Sequence, residues 1–332
     1  MQLIPGCSKR SRCEARRYVI VSVKHHREDR TSTITLHKHE FKRGDRAHPS
    51  TVLRAIGIRA FFNSLFAILF FLGTSSFAAS SPFDDASAAY ERGDYVQAMK
   101  LFRQLAEKGN QWAQRRVGSM YAEGKGAPQD YQEAVKWYRL AAAQRNTPAQ
   151  YSLGMAYENG QGVPQDFQEA IKWYRIAAAQ EDEWAQTRLG SIYAEGQGVP
   201  QDFQEAVKWY RIAAAQGYAP AQYSLGLAYE KGQGVPQDFQ EAVNLYRLAA
   251  AQGNQFAQIN LGMVYAHGRG VRQDFVRAHM WFNLAAAASS GDSGDTAIKK
   301  RDRIASKMTA EQIATAQEMA RRCQESKLKN CD

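Results

Sequence analysis

The chain has 332 residues, 44% of them hydrophobic and 23% charged, with a formal net charge of +10. That charge is unevenly placed: residues 1–79 carry 14 Lys/Arg against 5 Asp/Glu, and the remainder carries 29 against 28. A near-neutral body lacks the basic face that phosphate-backbone binding requires, so no nucleic acid is expected as a partner, and the length allows either two ordinary domains or one long repeat array.

Residues 1–59 form a basic leader that holds five of the seven histidines. His37-Lys-His39 could take up a metal adventitiously, and no other His/Cys set has metal-ligand spacing, so no metal or cofactor is expected. The next stretch, 60–79, is uncharged and apolar, follows Arg59, and ends in small residues with Ser76 and Ala78 at signal-peptidase spacing. Two readings stay open. One is a cleaved export signal, with translation starting nearer Val52 or Leu53. The other is an uncleaved anchor in the inner membrane, since the uncharged run reaches Phe83. Both readings send the following residues out of the cytoplasm, to the periplasm or beyond, and membrane contact is expected only through 60–79.

Ser81 and Pro82 open a helix as cap and first residue. Ala89-Tyr-Glu-Arg-Gly-Asp-Tyr-Val-Gln-Ala98 then turns through Gly93-Asp94. This stretch resembles an ordinary tetratricopeptide hairpin, and residues 81–112 are expected to cap the N-terminal end.

From there a glycine recurs every 36 residues, at Gly118, Gly154, Gly190, Gly226 and Gly262. Five units follow: 113–148, 149–184, 185–220, 221–256 and 257–292. Periods in this range indicate stacked supersecondary units that bury their apolar faces against neighbours. In the unit 149–184, Ala149, Leu153 and Tyr157 share one helical stripe, and Gly154 leaves room for close helix packing. Gly160-Gln-Gly162 and Pro164 end that helix. A second helix starts at Asp166, with Glu169 expected to reach back as a capping box; the pair recurs as Asp130/Glu133, Asp202/Glu205 and Asp238/Glu241. Ala170, Trp173, Tyr174, Ala177 and Ala178 follow a buried-face pattern, and Lys172 and Arg175 fall outside it.

The motif Ala-Gln-Tyr-x-Leu-Gly-x-x-Tyr-x-x-Gly-x-Gly-Val-Pro-Gln-Asp-x-x-x-Ala-x-x-Trp-Tyr-x-x-Ala-Ala resembles the Sel-one-like repeat, a branch of the tetratricopeptide-like superfamily. The resemblance implies an all-α fold, a right-handed α/α superhelical solenoid, with bacterial export and roles in protein contacts. The units also alternate: Ala113-Gln-Arg-Arg-Val-Gly118 matches Ala185-Gln-Thr-Arg-Leu-Gly190, and Ala149-Gln-Tyr-Ser-Leu-Gly154 matches Ala221-Gln-Tyr-Ser-Leu-Gly226, so a period of 72 is superposed.

The fifth unit breaks the pattern with Arg272 for proline, Arg277 for the capping glutamate and Met280 for lysine. An apolar residue at a solvent-facing position predicts a cover, supplied by helices within 293–332 from about Asp295 to Met308 and, after a Thr309/Gln312 capping box, to about Cys323. Cys323 and Cys331 are expected to form a disulfide in an oxidising compartment.

No constellation of titratable groups points to catalysis, and the protein is expected not to be an enzyme. His267 stands where other units have Glu, Asn or Lys and reads as solvated; His279 is the other histidine outside the leader. Ser326-Lys-Leu-Lys329 fits a short penicillin-recognition motif without companions, so a cell-wall or β-lactam hydrolase is the alternative, and self-assembly through solenoid ends is a third. The expected function is a scaffold that binds a protein or peptide, as a monomer or weak self-associator. By analogy with tetratricopeptide-like solenoids, the concave first-helix face presents Trp112, Arg115, Tyr151, Met155, Trp184, Tyr223, Leu227, Phe256, Ile259 and Met263. Trp112, Trp184 and Phe256 have a second reading as packing between successive units.

Overall fold

A computed structural model of the chain describes residues 19–25, 32–38, 81–288, 292–328 and 331, and the chain divides into two compact units, Met1–Ala78 and Ala79–Asp332. In the first, β1 (Val19–His25) and β2 (Ser32–Lys38) form a two-stranded antiparallel ribbon with Val19 opposite Lys38 and Val21 opposite Leu36. The sequence reading takes this stretch as leader and assigns it no strand. The signal or anchor segment expected at 60–79 lies outside the described residues, as does its cleavage site. Among the described residues, no helix is long and apolar enough to cross a membrane.

The second unit is an α/α solenoid of 14 helices among the described residues. An opening hairpin, α1 (Pro82–Glu91) and α2 (Tyr95–Glu107), precedes five hairpins. Their first helices are α3 (Gln111–Glu123), α5 (Thr147–Asn159), α7 (Glu183–Glu195), α9 (Ala219–Lys231) and α11 (Gln255–His267). Their second helices are α4 (Tyr131–Ala143), α6 (Phe167–Ala178), α8 (Phe203–Ala215), α10 (Phe239–Ala251) and α12 (Phe275–Ala288), and α13 (Asp292–Ala305) and α14 (Ala310–Glu325) close the array.

Local chemistry sets the helix ends. Asn110, Asn146, Asp182 and Asn254 cap first helices through their side chains, and Asp130, Asp166, Asp202 and Asp238 cap second helices. The glutamate three residues on, expected to close a capping box, instead pairs forward: Glu169 meets Lys172 at 2.8 Å and Glu205 meets Lys208 at 2.8 Å. The N-cap amide it would have accepted already donates to a carbonyl of the preceding helix, Asp166 to Tyr157 and Asp202 to Tyr193, each at 2.8 Å, so the carboxylate turns to the lysine one turn away. Capping boxes do form at Ser81/Asp84 and Thr309/Gln312.

The recurring glycine marks a ring, not a neighbouring backbone. A Cβ on Gly154 would stand 2.5 Å from Tyr174 Cε1, and Gly190 and Gly262 face Tyr210 and Phe282 at the same distance. Each ring comes from the second helix of the same unit and fills the space the missing side chain leaves. The second loop glycine serves contact between units: at Gly162, φ is +74° and a Cβ would lie 2.1 Å from the carbonyl oxygen of Tyr131 in the preceding hairpin.

Polar side chains stitch one hairpin to the next. Gln114, Gln150, Gln186, Gln222 and Gln258 are buried, and each donates through Nε2 to a carbonyl near the end of the preceding second helix: Ala106, Ala142, Ala178, Ala214 and Ala250. Each of these carbonyls already accepts the backbone N–H three residues on, so the glutamine fills its second lone pair and ties one hairpin to the next while its own amide is satisfied in a buried place. Arg139, Arg175, Arg211 and Arg247 donate to the hydroxyls of Tyr157, Tyr193, Tyr229 and Tyr265 in the following unit.

The period of 72 residues appears in the hydrogen bonds of the glycine-facing tyrosines. In alternate units, Tyr174 and Tyr246 donate at 2.6 Å to Glu158 and Glu230, while Tyr138 and Tyr210 reach Ser119 and Ser191 at 3.4 and 3.3 Å. Glu158 is buried and also accepts from Arg188 of the next unit through Nε at 2.8 Å and through a second guanidinium nitrogen. At the C-terminal end Met280 and Leu284 are buried in one cluster with Ala297, Ile304, Ala320 and Cys323, and Cys323 and Cys331 are joined by a disulfide.

Candidate interaction surface

The first helices place one side chain per unit just after their N-caps. In alternate units it is aromatic: Trp112, Trp184 and Phe256, which are 50%, 53% and 49% exposed. Between them stand Pro148 and Pro220. Ring contacts between units are present at Trp184 and Phe256, as the packing reading expects. Trp184 packs against Tyr151 at 6.4 Å and Tyr218 at 5.2 Å between ring centroids, and Phe256 against Tyr223 at 5.9 Å. The other half of each ring is open to solvent. Packing on one side fixes the ring and leaves a rigid apolar face on the other, the form in which aromatic residues contribute most to protein recognition.

Met155 is also exposed, Arg115 and Leu227 are half-buried, and Tyr151 and Tyr223 are half-buried against Trp184 and Phe256. Burial raises the hydroxyl pKa of Tyr151 and Tyr223 and pushes that of Tyr218 up to about 12, so all three stay neutral hydrogen-bonding groups. Burial lowers the pKa of Arg115, and the neighbouring Arg116 lowers it further.

Two expected positions are not free. Ile259 is 9% exposed and belongs to the core. Met263 packs on the same cluster, with Lys300 Nζ of α13 at 3.4 Å from its Sδ. Both lie on α11, the last first helix, where the closing helices add a neighbour that the other units lack.

A second apolar row was not expected from the sequence. Leu140, Ile176, Ile212 and Leu248 repeat on the second helices, and each is about half exposed. The equivalent residue of the fifth unit, Leu284, is buried. The signal in the sequence is spacing, since all five stand 36 residues apart; Ile176 falls outside the stripe of Ala170, Tyr174 and Ala177, so the buried-face pattern does not include it.

Residues considered for chemistry are dispersed. His267 is exposed and its Nδ1 lies 2.8 Å from the carbonyl of Met263. His279 is buried at the place of Val135, Ile171, Val207 and Val243, and burial lowers its pKa, with Arg301 adding to the effect and Asp302 opposing it. Ser326 Oγ donates to the carbonyl of Cys323, and Lys329 lies outside the described residues. Among the described residues, no group of three or more His, Cys, Asp or Glu side chains could hold a metal ion.

Comparison with known proteins fits this architecture. The family profile described as Sel1 repeat matches residues 87–110, 113–146, 147–182, 185–218, 219–254 and 255–290. The first of these matches takes in the opening hairpin, which the sequence reading likened to an ordinary tetratricopeptide unit. A Sel1 repeat protein from Oxalobacter formigenes of solved structure is 36% identical, with 73% of this chain and 99% of that one covered and a TM-score of 0.63. A protective antigen of uropathogenic Escherichia coli with an SLR fold is 28% identical over 75% of this chain and 62% of that chain, with a TM-score of 0.47. No curated protein matches the chain.

Proposed function

Since this chain belongs to the Sel1 repeat family, we propose that it is a non-catalytic scaffold in the bacterial envelope that binds a peptide or protein across its first-helix face. One observation carries the reading: a half-exposed aromatic ring recurs every 72 residues, at Trp112, Trp184 and Phe256, on a solenoid whose other large aromatics are buried or half-buried. Isolated exposed rings are ordinary, but a series in register along one face offers a partner several anchors at fixed intervals. Export through the segment 60–79 would deliver the array to the periplasm or beyond, where the C-terminal disulfide is stable.

Affinity capture from envelope fractions, comparing the wild-type chain with Trp184→Ala/Phe256→Ala, tests the binding face. Half of each ring is already in water, so the variant keeps its fold while losing two anchors. A partner profile unchanged by the pair refutes this face. Mass spectrometry of the N-terminus tests export: a chain beginning near Ala79 is expected, and an intact leader in the cytoplasm refutes it. Turnover of nitrocefin by the purified chain would replace the scaffold with the hydrolase reading.

A further inference from the structure

Four units build the segment entering their second helix alike. Val163-Pro-Gln-Asp-Phe-Gln-Glu169 represents them, and the fifth unit reads Val271-Arg-Gln-Asp-Phe-Val-Arg277. Two of its three changes introduce arginine, and the structure brings both to one place. Arg272 and Arg277 line a cavity of about 610 Å³ together with Arg247, Tyr265, Asp274 and, from the closing helix α14, Gln312.

The charge of this cavity is the reverse of what the repeat supplies elsewhere. At the corresponding positions 72 and 36 residues earlier stand one arginine, an aspartate and a glutamate: Arg175, Asp202 and Glu205, then Arg211, Asp238 and Glu241. Here, among the described residues that line the cavity, three guanidinium groups stand with one carboxylate, that of Asp274. Two of the three are held in position. Arg247 donates to the hydroxyl of Tyr265 at 2.7 Å. Arg277 pairs with Asp274 at 2.7 Å and lies 5.9 Å from the centre of the Tyr265 ring. Asp274 already accepts the amide of Arg277 as well, so its capacity is largely used within the protein.

We propose that this cavity binds an acidic peptide segment, taking adjacent Asp or Glu carboxylates of the scaffold's partner on Arg272, Arg277 and Arg247. Guanidinium forks match carboxylates in bidentate geometry. A lone oxyanion would occupy a small part of the volume, whereas a few residues of extended peptide fill a space of this size. Val271, Phe275 and Val276 supply apolar wall for the methylene stems of such side chains. The proposal rests on the scaffold reading but concerns a site apart from the rings Trp184 and Phe256, so the two fail separately.

The array supplies its own control. Arg272→Pro/Arg277→Glu installs the residues that the other four units carry at these positions, and so is expected to fold with an unchanged thermal midpoint. Fluorescence anisotropy of labelled octaglutamate, titrated with the full chain, is expected to give saturable binding that weakens as NaCl rises from about 50 to about 200 mM. The double variant is expected to bind at least about tenfold more weakly, the loss from removing a single charged hydrogen-bond partner. Trp184→Ala/Phe256→Ala should bind octaglutamate as the wild type does. Should the double variant misfold, Arg272→Gln alone serves and is expected to weaken binding in the same direction. Equal affinity in the wild type and the folded arginine variant overturns the proposal. So does a wild type that fails to bind octaglutamate, or one that binds inorganic phosphate or an oligothymidylate as tightly.

Discussion

Replacing Gly154 with alanine sets two opposing effects against each other. Alanine in a helix interior is favoured over glycine by about 1 kcal/mol. Against this, the new Cβ would lie 2.5 and 2.6 Å from Cε1 and Cδ1 of Tyr174, where carbon atoms ordinarily rest about 3.5–4.0 Å apart. The ring would have to move by roughly 1 Å to reach that separation. It has little room to do so, being fully buried and tied by its hydroxyl to Glu158 at 2.6 Å. Overpacking of a confined site costs about 1–3 kcal/mol, and the upper end applies here, so the net expectation is a loss of about 2 kcal/mol. Gly118→Ala is the internal comparison. Its ring, Tyr138, stands at 2.7 Å and its hydroxyl bond to Ser119 is long, at 3.4 Å; the ring can yield, and the net loss should stay below about 1 kcal/mol. Guanidinium denaturation followed by circular dichroism measures both. A Gly154→Ala chain as stable as the wild type, or the reverse order of the two variants, would refute the argument. In the combination Gly154→Ala/Tyr174→Leu the penalties should be non-additive by about 1 kcal/mol, because the second change removes the ring that the first one strikes.

Removing Arg188 should leave the buried Glu158 carboxylate with only the Tyr174 hydroxyl. Arg188→Gln is expected to cost about 2 kcal/mol, less than for a fully buried pair because the arginine is partly exposed, and Glu158→Gln/Arg188→Gln should recover most of it in denaturant titrations. His279 has a pKa below its ordinary value in the folded state, so the unfolded chain binds the proton more readily. Stability should therefore fall as pH drops through about 6.5 and level off below the folded value, and His279→Val, the residue type of the other units, should remove that component from the difference between melts at about pH 7.5 and 5.5. Reducing the Cys323–Cys331 bridge, whose partners are 8 residues apart, releases a constraint of about 2.5 kcal/mol on the chain-entropy estimate. The effect should be confined to the end of α14: hydrogen exchange is expected to accelerate there and stay unchanged in α3.

What was legible in the sequence was whatever a residue's own chain neighbours determine. Ser81, Asp166 and Thr309 cap helices because the amides they satisfy lie two or three positions away, and the period of 36 residues states that units stack. What was not legible depends on which neighbour a residue meets in space. Gln150 stands in the quoted motif, yet its role requires the carbonyl of Ala142, which only the packing of successive hairpins brings within reach. The Asp166 amide that Glu169 is expected to meet donates instead to the carbonyl of Tyr157, a partner that only the fold supplies, and the carboxylate pairs with Lys172. The clearest case is a single repeat position compared along the array. Tyr151, Tyr223 and Ile259 occupy the same place in their units, and the first two are half-buried while the third belongs to the core. Leu248 and Leu284 likewise share a position, one exposed and one covered. Leu248 and Leu284 are the same residue type, so that difference comes from α13 and α14, which give the last unit a cover; at the other position the residue type changes as well, from tyrosine to isoleucine. In a repeat protein the pattern therefore predicts the interior of the array well and its ends poorly, since an end residue keeps the repeat's identity but not its surroundings. At some places identity itself departs from the pattern. Arg272 and Arg277 do so at the end where the closing helices contribute Gln312 to the same cavity, so sequence and surroundings change together there, and individuality that the stacking core does not require is free to serve recognition.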